Sequence, residues 1–221
     1  MAFQIFELNL LLGKVSMALQ GLGVLFGIAR WPKNSSSQHS ITLFLLVILT
    51  IQVVAYYYGK AMGNNYPFYF AYILIEGVWV ISIYLFRSPR ILPRQFLIAL
   101  AIGYSLFWCI DIAWLESGWE YPAIIRPLES LMVIGLSIRY YRSLLNLLDI
   151  PKPGKTFLFW LSTGWMIYFT STLLIELIGS LLVDASPEIW GLIFTIRNGL
   201  NVLLYLTFAV SLWLPDTESD E

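Results

Sequence analysis

The sequence predicts an all-α fold, a polytopic membrane bundle of seven transmembrane helices, and two observations support that prediction. Hydrophobic residues make up 58% of the chain and charged residues 12%, whereas a soluble domain is roughly 45–50% apolar and about 25% charged. The basic residues are also grouped, because nine of the thirteen lie in three short connectors that alternate with neutral or acidic ones. This alternation is typical of a multi-pass membrane protein. The nine are Arg30 and Lys33; Arg87, Arg90 and Arg94; and Arg139, Arg142, Lys152 and Lys155.

Seven segments are apolar and long enough to span a bilayer, which requires about 20 residues in a helix. Glu7 and Lys14 lie in the first, so an amphipathic helix in the membrane interface is an alternative for that segment. We expect one transmembrane domain over residues 1–214 and a short acidic cytoplasmic tail over 215–221. The segments cover residues 5–29, 41–61, 67–86, 95–115, 122–147, 156–183 and 189–214.

The connectors contain the turn residues Pro and Gly and are too short to hold a soluble domain. Because Lys and Arg concentrate on the cytoplasmic side of membrane proteins, the three basic connectors predict an external N-terminus and a cytoplasmic C-terminus. The opposite connectors include a single basic residue, Lys60. Because the connectors hold no soluble domain, a signal passed to the cytoplasm would need a separate protein partner.

A weak internal repeat relates the third, fifth and seventh segments. Residues 76–88 align with 129–143, and the corresponding stretch of the seventh segment begins at Arg197. Each follows a proline that suits the first turn of a helix, at Pro67, Pro122 and Pro187. The chain is then three copies of a helix hairpin plus one N-terminal helix. Such repeats are common in transporters, although unrelated apolar hairpins also resemble one another by chance.

Charged side chains inside the predicted spans are the main candidates for function. Each costs about 2.5–3.5 kcal/mol at the bilayer centre on insertion scales, so such residues usually face the bundle interior. Glu76, Glu129 and Arg197 are expected at similar depth and predict a buried cluster, which either serves function or fixes helix packing. The seven candidates are Lys14, Glu76, Asp111, Arg126, Glu129, Glu176 and Arg197.

Further polar residues extend this predicted site. Arg126 lies three residues before Glu129, so the two can pair on one helix face. Asn198 and Asn201 follow Arg197, and Gln52 lies one turn before Tyr56, where it would form a polar wall. The predicted ligand-binding or proton-carrying residues are Glu76, Glu129, Arg197, Arg126, Asn198, Asn201 and Gln52.

Acidic residues near the outer ends of the predicted spans are expected to lie outside this cluster. Asp111 and Glu116 lie among tryptophans and are expected to anchor the chain at the outer interface. Glu176 is expected near the same surface, facing either a cavity or the lipid headgroups.

The sequence contains no motif for several classes of catalytic and cofactor chemistry. Cys109 and His39 are the single residues of their types, so we expect no metal site, no cofactor and no haem or iron–sulfur centre. Phosphate loops, nucleophile elbows and zincin motifs are absent, which predicts no catalytic residue. The seventh segment has no lysine for retinal, and the sparse basic residues provide no footprint for nucleic acid.

Three segments carry a resemblance to a known group of proteins. YILIE at 72–76, IRPLESL at 125–131 and FWLSTGWMIYF at 159–169 resemble segments of small seven-helix membrane proteins of Bacteroidota and related bacteria. The resemblance implies location in the bacterial inner (cytoplasmic) membrane. It assigns no functional residue.

The leading functional hypothesis is a membrane sensor or ligand-binding module rather than an enzyme. It would bind a small or lipidic ligand within the bundle, in contact with membrane lipids, and signal to a cytoplasmic or membrane protein partner. A small-molecule or proton-coupled transporter is the first alternative. An intramembrane lipid hydrolase and a structural subunit of a membrane complex are the others.

Overall fold

A computed structural model describes residues 2–87, 92–116, 118–119, 121–146, 153–179 and 186–214. This part of the chain forms seven α-helices and confirms the all-α prediction. The acidic tail at 215–221 and the final residues of the predicted sixth segment lie outside the described residues. The helices are α1 (Ala2–Ala29), α2 (Ser36–Met62), α3 (Tyr66–Arg87), α4 (Arg94–Ile110), α5 (Ile125–Asn146), α6 (Phe157–Gly179) and α7 (Pro187–Trp213).

Six of these helices are long and apolar enough to cross a membrane, so the chain is a multi-pass membrane protein. They are α1, α2, α3, α6, α7 and α4 together with a π-helical turn at Asp111–Leu115. The candidate span in α1, Ile5–Ala29, includes both Glu7 and Lys14. This length and hydropathy favour a spanning helix over the interfacial alternative for the first segment.

The helix α5 does not meet the same criterion, although the sequence predicts a span there. Its 22 residues include four charged ones, which lower its hydropathy. At 1.5 Å per residue it is still about 33 Å long. It packs along α6 and also contacts α3, so protein surrounds part of its polar surface. The four charged residues are Arg126, Glu129, Arg139 and Arg142.

The packing of the helices differs in part from the expected hairpins. The pairs α2 with α3 and α6 with α7 are neighbours, and α1 packs along both α7 and α2. However, α4 packs along α3, whereas α5 packs along α6. An apolar groove separates α4 from α5, with Leu100 and Tyr104 on one side and Leu128 and Met132 on the other. The three-copy repeat therefore remains a prediction.

The predicted proline start of the fifth helix is wrong. The helix α5 begins at Ile125 rather than near Pro122. Glu116 explains the delay, because its Oε1 accepts hydrogen bonds from the backbone N–H groups of Ala123 at 2.7 Å and Ile124 at 3.0 Å. These N–H groups precede the helix and have no partner within it. The start at α7 is as predicted, with Pro187 in its first turn.

The expected interfacial anchoring by Asp111 and Glu116 is also wrong. Asp111 is fully buried at the π-helical turn, and Glu116 is 7% exposed. Both side chains are turned inward at this site, and Glu116 binds the backbone of the chain that leads into α5. Nearby Trp114 is instead 79% exposed and is suited to contact the membrane interface.

Glu116 predicts a pH-dependent stability. Burial and the neighbouring Asp111 carboxylate raise the pKa of Glu116 from its ordinary value near 4.5 to about 7. The folded protein therefore holds a proton between these values that the unfolded chain releases. We expect the thermal unfolding temperature in mild detergent to fall as the pH rises from about 4.5 to about 7.

The matched variant is Glu116→Gln, which keeps the acceptor oxygen for Ala123 and Ile124 but cannot ionise. It should flatten the dependence of the unfolding temperature on pH across that window. An equally steep dependence in the variant would show that another group is responsible.

Candidate functional site

One buried guanidinium holds three carboxylates from three helices. Arg126 lies in the first turn of α5, and its side chain is fully buried. Its Nη1 is 2.6 Å from Glu76 Oε2 on α3 and 2.5 Å from Glu129 Oε2 on α5. Its Nε is 3.1 Å from Glu176 Oε1 on α6. We call these four residues the Arg126 cluster.

Neutral side chains complete the surroundings of the Arg126 cluster. The Tyr72 hydroxyl donates to Glu76 Oε1 at 2.7 Å, and the Ser130 hydroxyl donates to Glu176 Oε2. Four aromatic rings surround the guanidinium, with centroids 5.1–6.0 Å from Arg126 Cζ. Rings at this distance interact favourably with a cation. They belong to Tyr69, Tyr72, Tyr168 and Phe169.

The charges of the Arg126 cluster do not balance if every carboxyl group is ionised. One cation would then face three anions, which leaves two negative charges uncompensated in a buried site. Uncompensated buried charge is costly. Glu129 Oε1 also has no hydrogen-bond partner among the described residues. The Arg126 guanidinium is therefore the cation on which all three carboxyl groups of the cluster depend.

The structure assembles the predicted cluster around a different arginine. Glu76 and Glu129 do lie together, and the expected pair of Arg126 with Glu129 is present. Arg197, however, forms no ion pair with a described carboxylate, and it donates a hydrogen bond to the Tyr69 hydroxyl. The physical reason is packing: α7 lies against α1 and α6, and Tyr69 is near both arginines.

Glu176 had two predicted orientations, toward a cavity or toward the lipid headgroups, and its position in the bundle decides between them. It is 1% exposed and bonded to Arg126 rather than turned toward headgroups. The sequence contained a signal for this position, because antiparallel packing of consecutive helices brings the start of the first beside the end of the second. Glu176 near the end of α6 therefore lies level with Arg126 at the start of α5.

A cavity of about 830 Å³ lies between α2, α3 and α7, with α6 contributing Tyr168. This volume is within the range of small-molecule sites. Ten of its nineteen lining residues are aromatic, and Arg197 is the charged residue among those described. Four predicted site residues line this cavity, namely Gln52, Arg197, Asn198 and Asn201.

The polar lining residues also join helices. Asn198 Nδ2 donates to Asn9 Oδ1 at 2.6 Å, which links α7 to α1. Gln52 Nε2 donates to the Tyr205 hydroxyl at 3.2 Å, which links α2 to α7. Asn201 lies four residues after Arg197 and is therefore on the same face of α7.

Three tyrosines separate the cavity from the Arg126 cluster, and we call them the tyrosine floor. Tyr69, Tyr72 and Tyr168 all line the cavity. Tyr69 accepts from Arg197, while Tyr72 donates to Glu76. The Tyr168 hydroxyl accepts a hydrogen bond of 3.4 Å from Arg126 Nη2. Any molecule that displaces these hydroxyl groups would directly change the surroundings of Arg126.

The cavity reaches the end of the bundle where α2 joins α3. Gly63, Asn64 and Asn65 of that connector contribute to its wall, and Tyr121 contributes from the chain before α5. Asn64 fixes this end, because its Nδ2 donates to the Trp119 carbonyl at 2.8 Å. A molecule could enter between these connectors without crossing the bundle.

Comparisons with known proteins found no relative of this chain. No family model, no curated protein and no solved structure matches the chain. In the described residues, no group of three or more His, Cys, Asp and Glu side chains is placed to hold a metal ion.

Removal of the central guanidinium tests the structural role of the Arg126 cluster. Arg126→Ala leaves three buried carboxyl groups without their cation, so we expect the protein to lose about 3–5 kcal/mol of stability. Thermal unfolding in mild detergent measures the change. Arg142→Ala, an exposed position on the same helix, is the control and should unfold near the wild-type temperature. Equal losses in both variants would contradict a central role for Arg126.

Proposed function

We propose that this chain is a ligand-binding module of the bacterial inner membrane. A small molecule binds in the cavity, and the tyrosine floor transmits its binding to the Arg126 cluster. The observation that carries the proposal is the shared wall: Tyr69, Tyr72 and Tyr168 line the cavity and also contact the cluster or lie over its guanidinium.

The orientation of the module follows from its basic connectors. Arg30, Lys33, Arg94 and Lys155 flank helix ends on one side of the bundle, which the positive-inside rule places in the cytoplasm. The N-terminus is then external, the C-terminus is cytoplasmic, and the cavity opens outward. In this arrangement α5 is a seventh span, because its 22 residues are long enough and its most polar turn is buried.

A second layer of polar contacts connects the same three helices nearer the cytoplasm. The Tyr84 hydroxyl on α3 shares hydrogen bonds with Ser162 on α6 at 2.8 Å and with Ser137 on α5 at 3.4 Å. Tyr141 on α5 shares one of 2.6 Å with Thr163 on α6. A shift at Arg126 would therefore move α3, α5 and α6 relative to the other helices, and the basic inner ends would present that shift to a cytoplasmic partner.

The proposal predicts a bound molecule that depends on the cavity. Native mass spectrometry of wild-type protein extracted in mild detergent should detect a retained small molecule. Arg197→Ala removes the charged lining side chain and should release it. Ala55→Trp keeps every charge but places a large side chain in the cavity wall, and it should also exclude the molecule.

The matched control is Lys14→Ala, since Lys14 is a cation within a predicted span that is exposed on α1 and does not line the cavity. This variant should retain the molecule. If wild-type protein carries nothing specific and Arg197→Ala changes only thermal stability, the cavity is a packing feature. The chain is then better explained as a structural subunit.

A proton-coupled carrier is a second candidate, favoured by the three carboxyl groups that share one guanidinium. In liposomes that contain a pH-sensitive dye, wild-type protein should then dissipate a proton gradient when substrate is present. Glu76→Gln and Glu129→Gln should abolish the flux without unfolding the protein, whereas Glu7→Gln, exposed on α1, should not. A gradient that persists with wild-type protein would exclude this alternative.

A further inference from the structure

We infer that the ligand of this cavity is a small planar organic anion, with a carboxylate at Arg197 and a flat body between aromatic side chains. This inference rests on the proposed function and specifies its ligand. It depends on three properties of the cavity: the charge of its lining, the placement of its polar groups and the aromatic character of its walls.

The charge of the lining requires an anion. Arg197 is half-buried on a candidate span and lines the cavity. Its hydrogen-bond acceptor is a neutral phenol, Tyr69, and among the described residues it has no carboxylate within ion-pair distance. A cation inside a membrane span normally pairs with an anion. A bound carboxylate would supply the missing charge.

The carboxylates of the Arg126 cluster do not compete for Arg197. Arg126 itself binds Glu76, Glu129 and Glu176, and the tyrosine floor lies between that cluster and the cavity. The described lining therefore presents a positive charge without an acidic one. A cationic ligand would meet repulsion here, and a neutral ligand would supply no negative charge to Arg197.

The polar groups near Arg197 match the two oxygens of a carboxylate. Arg197 and Asn201 are four residues apart on α7, and both line the cavity. A guanidinium can bind both oxygens of a carboxylate through two parallel N–H groups. The side-chain amide of Asn201 offers a further N–H donor on the same face.

The walls of the cavity favour a flat body. On α3, the rings of Tyr69 and Tyr72 lie nearly parallel, with centroids 6.2 Å apart and planes at 9°. On α7, Trp190 and Phe194 stack at 5.7 Å and 30°. Tyr121 lies against Trp190 at 6.4 Å. Aromatic walls on separate elements provide stacking surfaces for a conjugated ring.

The same chemistry could come from two sources, an organic acid in water or a fatty acid in the membrane. The cavity wall includes the polar connector residues Asn64 and Asn65 at the end of the bundle. This opening and the aromatic walls favour the water-soluble acid over a flexible acyl chain. The experiment therefore includes a probe for each source.

The test compares four probes on purified protein in a neutral maltoside detergent, by isothermal titration calorimetry and thermal stabilisation. They are indole-3-acetate, its neutral amide, the cation tryptamine and the fatty acid anion decanoate. Indole-3-acetate should bind about tenfold or more tightly than the amide, which corresponds to one charge-assisted hydrogen bond. Tryptamine should not bind, and decanoate should bind more weakly than indole-3-acetate.

Two variants attribute the preference to the cavity. Arg197→Gln should bind the acid and the amide equally, whereas Arg142→Gln, exposed on α5, should retain the wild-type preference. Arg197→Lys keeps the charge, so it should retain part of the preference even if the Gln variant does not fold.

Each result decides between distinct conclusions. Equal binding of acid and amide by wild-type protein overturns the anionic ligand but leaves ligand binding in the cavity intact. Stronger binding of decanoate overturns the planar body and assigns the source to the membrane. If no probe binds, the inferred ligand class is overturned. Mass spectrometry of wild-type and Ala55→Trp protein tests the proposed function separately.

Discussion

The architecture depends on one guanidinium that binds carboxyl groups from three helices. Helices in a membrane gain little from the hydrophobic effect when they associate, because lipid is as apolar as their side chains. Arg126 supplies a directional alternative, since it contacts Glu76 on α3, Glu129 on its own helix and Glu176 on α6. Each carboxylate would be costly in the membrane alone, so each constrains its helix to remain near Arg126. The positions of α3, α5 and α6 follow from that constraint.

The division between a charged cluster and an aromatic cavity follows from the same constraint. The three carboxylates lie against Arg126, and Arg197 on α7 is a separate cation that lines the cavity. The tyrosine floor keeps the two charged regions apart while contacting both. Phenol side chains suit this position because the ring packs among apolar groups and the hydroxyl forms hydrogen bonds. A ligand in the cavity can thus influence the cluster without direct contact with its carboxylates.

Much of the fold could be predicted from the sequence, and the errors have identifiable causes. Six spans follow from length and hydropathy, which are properties of single segments. The start of α5 could not be found this way, because the Glu116 side chain binds backbone N–H groups seven and eight residues later. The separation of α4 from α5 could not be found this way either. It arises because α4 packs on α3 and α5 packs on α6, and these contacts join residues far apart in the sequence.

For the site, the sequence alone determined the candidates for burial or pairing, since hydropathy places Glu76, Arg126, Glu129, Glu176 and Arg197 within or beside apolar segments. It also determined the local pair of Arg126 with Glu129, because three residues separate them on a helix. Only the tertiary structure decided which arginine binds the carboxyl groups and which faces the cavity. That choice depends on the neighbours of each helix and on how far each guanidinium can reach, and neither is a property of residue spacing along the chain.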